Sequence, residues 1–303
     1  MVNQTHLTPD DAFSSENLCT LDVCPLSWTM YTYLPSLPAN IVFVVLFSLI
    51  GVAHGYLGYR WKSWGFMGGM IAGCAAEILG YAGRIMLHSN PFSYEGFLIQ
   101  IVCLTFAPVF YTASIYITLS KTIEFLDPSL SRIRPKFFYW FFIPFDLLCL
   151  ILQALGGAMS ATGDDSHPGV DISMAGLVLQ VIVLVLFVIV FSDYMYRYWK
   201  SGHAAHFTWR VKTFFVGLTS AVILLLIRCT YRVAELKDGY DGELFKEEVP
   251  FIILEGVCIV LVAIALCFGH PGILIKPTTI EGRTSSSSKR EKGLYPAGVS
   301  DSN

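Results

Sequence analysis

The chain has 303 residues, of which 54% are hydrophobic and only 14% charged, with a formal net charge of −3. Soluble domains carry about 25% charged residues, and a mean hydropathy of +0.58 leaves more apolar surface than a soluble fold can hide. Lipid resolves this, because a spanning helix satisfies its own backbone polar groups.

Residues 1–37 are polar and acidic and contain no Lys or Arg, so no cleavable signal peptide is read there. They hold a glycosylation sequon at Asn3-Gln4-Thr5, either used on the lumenal side or too near the terminus to be used. Cys19 and Cys24 also lie in this segment. They are a disulfide pair if that side is oxidising, and two free thiols otherwise.

A membrane span needs about 20 mainly apolar residues. Seven such runs follow, at about 38–59, 65–87, 96–120, 137–160, 173–195, 208–230 and 249–269. The expected fold is therefore all-α, a polytopic seven-helix transmembrane bundle over 38–272, with a disordered cytosolic tail over 273–303. That tail carries Ser285 to Ser288 in a row beside Lys289 and Arg290.

Loop charges orient the bundle. The first loop carries Arg60 and Lys62, the third Lys121, Arg132, Arg134 and Lys136, and the fifth Arg197 and Lys200, followed by Arg210 and Lys212. Residues 88–95 and 161–172 carry no Lys or Arg. The alternation predicts an N-terminus outside and a C-terminus in the cytosol. The sixth loop mixes Arg232, Lys237 and Lys246 with six acids and fits this pattern least well.

Ionisable groups at bilayer depth are costly and ask for a reason. Glu77 and Arg84, Asp146 and Gln153, Arg228 and Glu235, and Glu248 and Glu255 are each seven residues apart, nearly two helical turns, and so share a helix face. Arg232 lies between Arg228 and Glu235, and Gln180 adds a polar group on the fifth helix. The stripes are expected to face the bundle interior, between its middle and its outer side, around a ligand or ion path; helix–helix hydrogen bonding is the plainer alternative. Pro108 and Pro144 fall inside helices and can free a carbonyl.

Other chemistries find no motif. The predicted seventh helix has no Lys for a retinal Schiff base, and the chain has no P-loop and no HExxH. The seven His residues make no plausible metal triad, and His54 reads as a packed histidine. No catalytic constellation, cofactor site or nucleic-acid-binding signal is read. Cys74, Cys103, Cys149, Cys229, Cys258 and Cys267 stand singly on helices as small core residues.

Together these residues carry a resemblance. Tyr33-Leu34-Pro35-Ser36 with Ala39-Asn40, Glu77-x-x-Gly80-Tyr81-x-x-Arg84, Ala107-Pro108 with Ala113 and Tyr116, and Asp146 with Gln153 and Gly156-Gly157 are followed by Gly176-Leu177 with Gln180. Then come Arg228-x-x-Tyr231-Arg232-x-x-Glu235 with Gly239, Glu248 with Glu255, and His270-Pro271-Gly272. In this order the chain resembles the fungal lipid-translocating exporter family, seven-helix proteins linked to aminocholesterol resistance and sphingoid long-chain base export. Val249, Ile252 and Glu255 depart from that family's aromatic, Tyr and Asp at the seventh helix.

The resemblance implies movement of an amphipathic lipid-like compound across a membrane, most simply the plasma membrane, with vacuolar or endoplasmic reticulum membranes as alternatives. Membrane lipids and a lipid-like substrate are the implied partners, and a homo-oligomer is compatible. Glu77, Asp146 and Glu255 would meet an ammonium head, and Arg84, Arg228 and Arg232 would balance the acids or meet a phosphate. Tyr81, Gln153, Gln180, Tyr231 and Glu235 complete the candidate site. A receptor-like sensor of extracellular lipid is the other reading.

Overall fold

The computed structural model describes residues 19, 24–29, 31, 33–126, 128–162, 167–201, 209–237 and 242–272. Asn3 and the 273–303 tail lie outside the described residues. The fold is all-helical among the described residues, with seven helices long and apolar enough to cross a membrane.

They are α1 (Leu37–Trp61), α2 (Trp64–Ser89), α3 (Tyr94–Leu126), α4 (Pro135–Thr162), α5 (His167–Lys200), α6 (Trp209–Leu236) and α7 (Glu248–Phe268). Six start or end at least two residues beyond the apolar runs that predicted them. The extra turns mix charged and polar residues with apolar ones, which weakens their hydropathy signal, but they continue the same backbone hydrogen bonds. Lys62 ends α1 in the left-handed region at φ 54° and turns the chain directly into α2.

Small residues set the closest approaches. A Cβ on Gly83 of α2 would lie 2.8 Å from the Gly96 carbonyl oxygen of α3 and 2.9 Å from the Gln100 nitrogen. On Gly156 of α4 it would lie 2.5 Å from the Gly169 carbonyl oxygen of α5. Glycine therefore lets these backbones touch, which is how helices gain van der Waals contact where lipid supplies no hydrophobic drive. Aromatic rings fill the wider gaps: Tyr116, Phe142 and Phe187 pack together from α3, α4 and α5 at centroid distances of 4.7–5.5 Å.

The perimeter is apolar. Leu49, Val52, Ile189 and Trp199 are 59–73% exposed, an arrangement suited to lipid and not to water. The polar residues point the other way. Glu77, Arg84, Asp146, Arg228 and Glu255 are at most 2% exposed.

Candidate functional site

The interior polar residues fall into four groups and a cleft. The deepest group is built around a proline. Pro108 of α3 has no N–H to give to the carbonyl of Leu104, one turn earlier. Nη2 of Arg228, on α6, donates to that carbonyl at 2.9 Å. The same guanidinium forms an ion pair with Glu255, its Nε donating to Oε1 at 3.1 Å.

Glu255 sits in a π-helical segment of α7, Phe251–Val257, flanked by α-helix. Such wide turns are rare and cluster at functional positions. Glu77 of α2 stands where the charges of both Arg228 and Glu255 act on it. Neither of its carboxyl oxygens has a hydrogen-bond partner, and the Tyr81 hydroxyl is likewise buried without one.

The second group lies nearer the N-terminal end of the bundle. Arg84 donates to the Tyr33 hydroxyl at 3.2 Å and reaches Glu248 at 3.5 Å. Its guanidinium lies 4.1 Å from the centre of the Phe251 ring, a cation–π contact. The segment preceding α1 is tied down over it: the Ser36 amide donates to Glu248 Oε1 at 2.6 Å, and Gln100 Nε2 donates to the Tyr31 hydroxyl at 2.7 Å. Burial raises the pKa of the Tyr31 and Tyr33 hydroxyls, with the Arg84 charge pulling the other way, so both stay protonated. In the same segment Cys19 and Cys24 form a disulfide with Cα atoms 5.4 Å apart, packed against Phe92.

Asp146 stands apart from these two groups. It accepts from Thr112 at 2.8 Å and Tyr116 at 3.1 Å, both on α3. Above it, Gln153 Nε2 donates to Gln180 Oε1 at 3.0 Å.

The cleft opens between α3, α4, α5 and α6 near the N-terminal end of the bundle and holds about 850 Å³ of empty space, part of it open to the surroundings. Its walls are largely apolar, with Phe97, Ile101 and Phe106 on α3, Gly157 on α4 and Leu177 on α5. Its polar corner is Gln153 with the Arg232–Glu235 ion pair of α6. Tyr231 donates to the same Glu235 at 3.5 Å.

The structure thus divides the residues read from the sequence. Gln153, Arg232 and Glu235 line the cleft, whereas Glu77, Tyr81, Arg84, Asp146, Gln180, Arg228, Tyr231 and Glu255 do not. Of the carboxylates expected to share one ammonium, Asp146 is bonded to Thr112 and Tyr116 and Glu255 to Arg228, while Glu77 has no hydrogen-bond partner.

A last cluster, at the opposite end of the bundle, was missed from sequence. His270 Nδ1 accepts from the Gly272 amide at 3.0 Å, so the hydrogen of the neutral ring is on Nε2, facing Ser63 Oγ at 3.2 Å. Burial, and to a lesser degree His54, lowers its pKa to about 4. Its only signal in the sequence is the His270-Pro271-Gly272 run; the partner Ser63 lies over 200 residues away.

Comparison with known proteins gives a consistent answer. The sphingoid long-chain base transporter RSB1 of Saccharomyces cerevisiae (strain Lalvin EC1118 / Prise de mousse) is 29% identical over 290 residues, covering 83% of this chain and 74% of that protein. Protein RTA1 of Saccharomyces cerevisiae (strain ATCC 204508 / S288c) is 28% identical, covering 88% and 93%. Protein RTM1 of Saccharomyces cerevisiae is 30% identical, covering 65% and 64%. No solved structure matches. The family model described as "RTA1 like protein" matches residues 70–278, from within α2 to beyond α7. The resemblance carried by the motifs and the match over the membrane region agree, and the chain belongs to the RTA1-like protein family.

Proposed function

We propose that this integral membrane protein moves long-chain amphipathic amines, sphingoid long-chain bases in particular, between the bilayer and the far side of the membrane. The observation that carries the reading is the cleft: a largely apolar slot whose polar corner holds the buried acid Glu235. From Tyr94 to Phe106 its α3 wall runs roughly 18 Å at 1.5 Å per residue, enough to lie along most of a long alkyl tail. The Glu235 carboxylate would take the ammonium and Gln153 the neighbouring hydroxyls. The transporter name of the relative RSB1 supports the same substrate class.

The basic loops favour an N-terminal end facing outward, which sets the cleft in the outer leaflet and favours export from the plasma membrane. The test is a reconstitution. Purified protein in liposomes with a labelled sphingoid base should move the lipid between leaflets, and Arg232→Gln/Glu235→Gln, which removes the acid without stranding the arginine, should remove the movement while leaving the melting temperature within a few degrees. Binding without movement would instead make the protein a lipid sensor.

A further inference from the structure

Glu77 is 0% exposed, and neither of its carboxyl oxygens meets a donor. Its surroundings offer charge without a bond. Arg228 of α6 and Glu255 of α7 are its charged neighbours. The other titratable groups near it are Tyr81 and Cys74 on its own helix and Tyr111 and Cys103 on α3, all neutral side chains at ordinary pH.

Arg228 is already neutralised by Glu255. An ionised Glu77 would leave the cluster with one uncompensated negative charge out of reach of water, whereas a neutral carboxyl leaves it balanced. Tyr81 follows one turn on and Arg84 nearly a turn beyond. Arg84 meets Glu248, whose side chain is 23% exposed at the N-terminal end. A buried acid at the foot of a polar stripe that reaches the surface has the layout of a carrier group and not of a packing contact.

We propose that Glu77 is a proton-binding site, protonated in this closed arrangement and ionised only when the bundle opens to water. One consequence rests on the function proposed above. An ammonium entering at Glu235 adds a positive charge beside the Arg228 and Glu255 charges that also face Glu77, which favours release of the Glu77 proton, so cationic lipid and proton replace each other within one charge cluster. Movement of the base in one direction is then balanced by a proton in the other, with the charge of the cluster conserved in each half-cycle.

Two measurements on the full chain separate the proton site from that consequence. Infrared spectra in lipid at pH 7 should show a protonated-carboxyl C=O band that disappears in Glu77→Gln, a variant isosteric with the neutral acid. Should that variant fail to fold, Glu77→Asp should retain the band at a shifted frequency. Identical carboxyl bands in wild type and variant would overturn the proposal. In proteoliposomes, a one-unit pH gradient should drive roughly tenfold accumulation of a labelled sphingoid base, with an internal pH dye reporting the returning proton and Glu77→Gln abolishing both. Base movement indifferent to the gradient would overturn the coupling and leave the transport reading intact. A Glu77 band without any base movement would support the proton site and overturn the transport reading.

Discussion

Nη2 of Arg228 donates to the carbonyl of Leu104 at 2.9 Å, across from α6 to α3. That carbonyl is open because Pro108 has no N–H to give it. Two features that look unrelated in the chain, a proline in one helix and an arginine 120 residues later, form one joint, and Glu255 completes it.

This joint predicts an asymmetry. Arg228→Met leaves Glu255 buried without its partner and should cost about 3–5 kcal/mol, because breaking a buried pair strands a charge. Removing both charges in Arg228→Met/Glu255→Met should recover most of that loss, since replacing both partners by apolar groups is often neutral. Thermal unfolding of the purified protein in detergent measures both. A double variant no more stable than the single one would show that the pair is not a closed unit.

Two adjacent glycines on α4 should behave oppositely. A Cβ on Gly157 meets nothing within 4 Å, and the residue lines the cleft. Gly157→Leu should therefore fill the slot, keep the fold and stop movement of labelled base. A Cβ on Gly156 would stand 2.4 Å from the Ser173 nitrogen. Gly156→Ala should push α4 from α5 and cost about 1–3 kcal/mol as an overpacking change. Melting temperatures and liposome transport, measured together, distinguish the two outcomes.

Stability should fall with pH through a histidine. Burial holds the pKa of the folded His270 down at about 4, below the ordinary 6.5 of an exposed histidine. Between these values the unfolded chain binds the extra proton, so stability is full above pH 6.5, is lost as pH falls toward 4, and levels off below. Protonation would also put a second donor on Nδ1, facing the Gly272 amide. The melting temperature should drop over this window, and His270→Gln should flatten that part of the profile.

The segment before α1 should loosen when its anchor is cut. Glu248 holds both the Ser36 amide and Arg84. Glu248→Ala should speed hydrogen exchange at Ser36 and the residues around Tyr33, with a loss of about 1–3 kcal/mol for hydrogen bonds to a charged group. Unchanged exchange there would mean that the disulfide and the bonds of Gln100 to Tyr31 and Arg84 to Tyr33 hold the segment without Glu248.

The polar stripes were legible because residues seven apart share a helix face, and Glu77, Arg84, Arg228 and Glu255 are all buried as that spacing requires. The cleft was not legible. Its largely apolar walls come from four helices, and apolar residues facing a slot look the same in sequence as apolar residues facing lipid. The π-helical turn at Glu255 was equally hidden, since no propensity marks it. His270 gave no warning that Ser63 would be its partner.

The sequence by itself determined the seven helices and which of their faces are polar. In lipid every spanning helix must satisfy its own backbone, so apolar length and side-chain period suffice to specify both. Only the tertiary structure decided which acid meets which arginine: Glu248 is joined to Arg84, Glu255 to Arg228, and Glu77 is left without a bond. The physical reason is that a helix whose hydrogen bonds are all internal remains free to rotate and slide. Its register is set by contacts such as Gly83 on Gly96, between segments whose pairing no local pattern encodes.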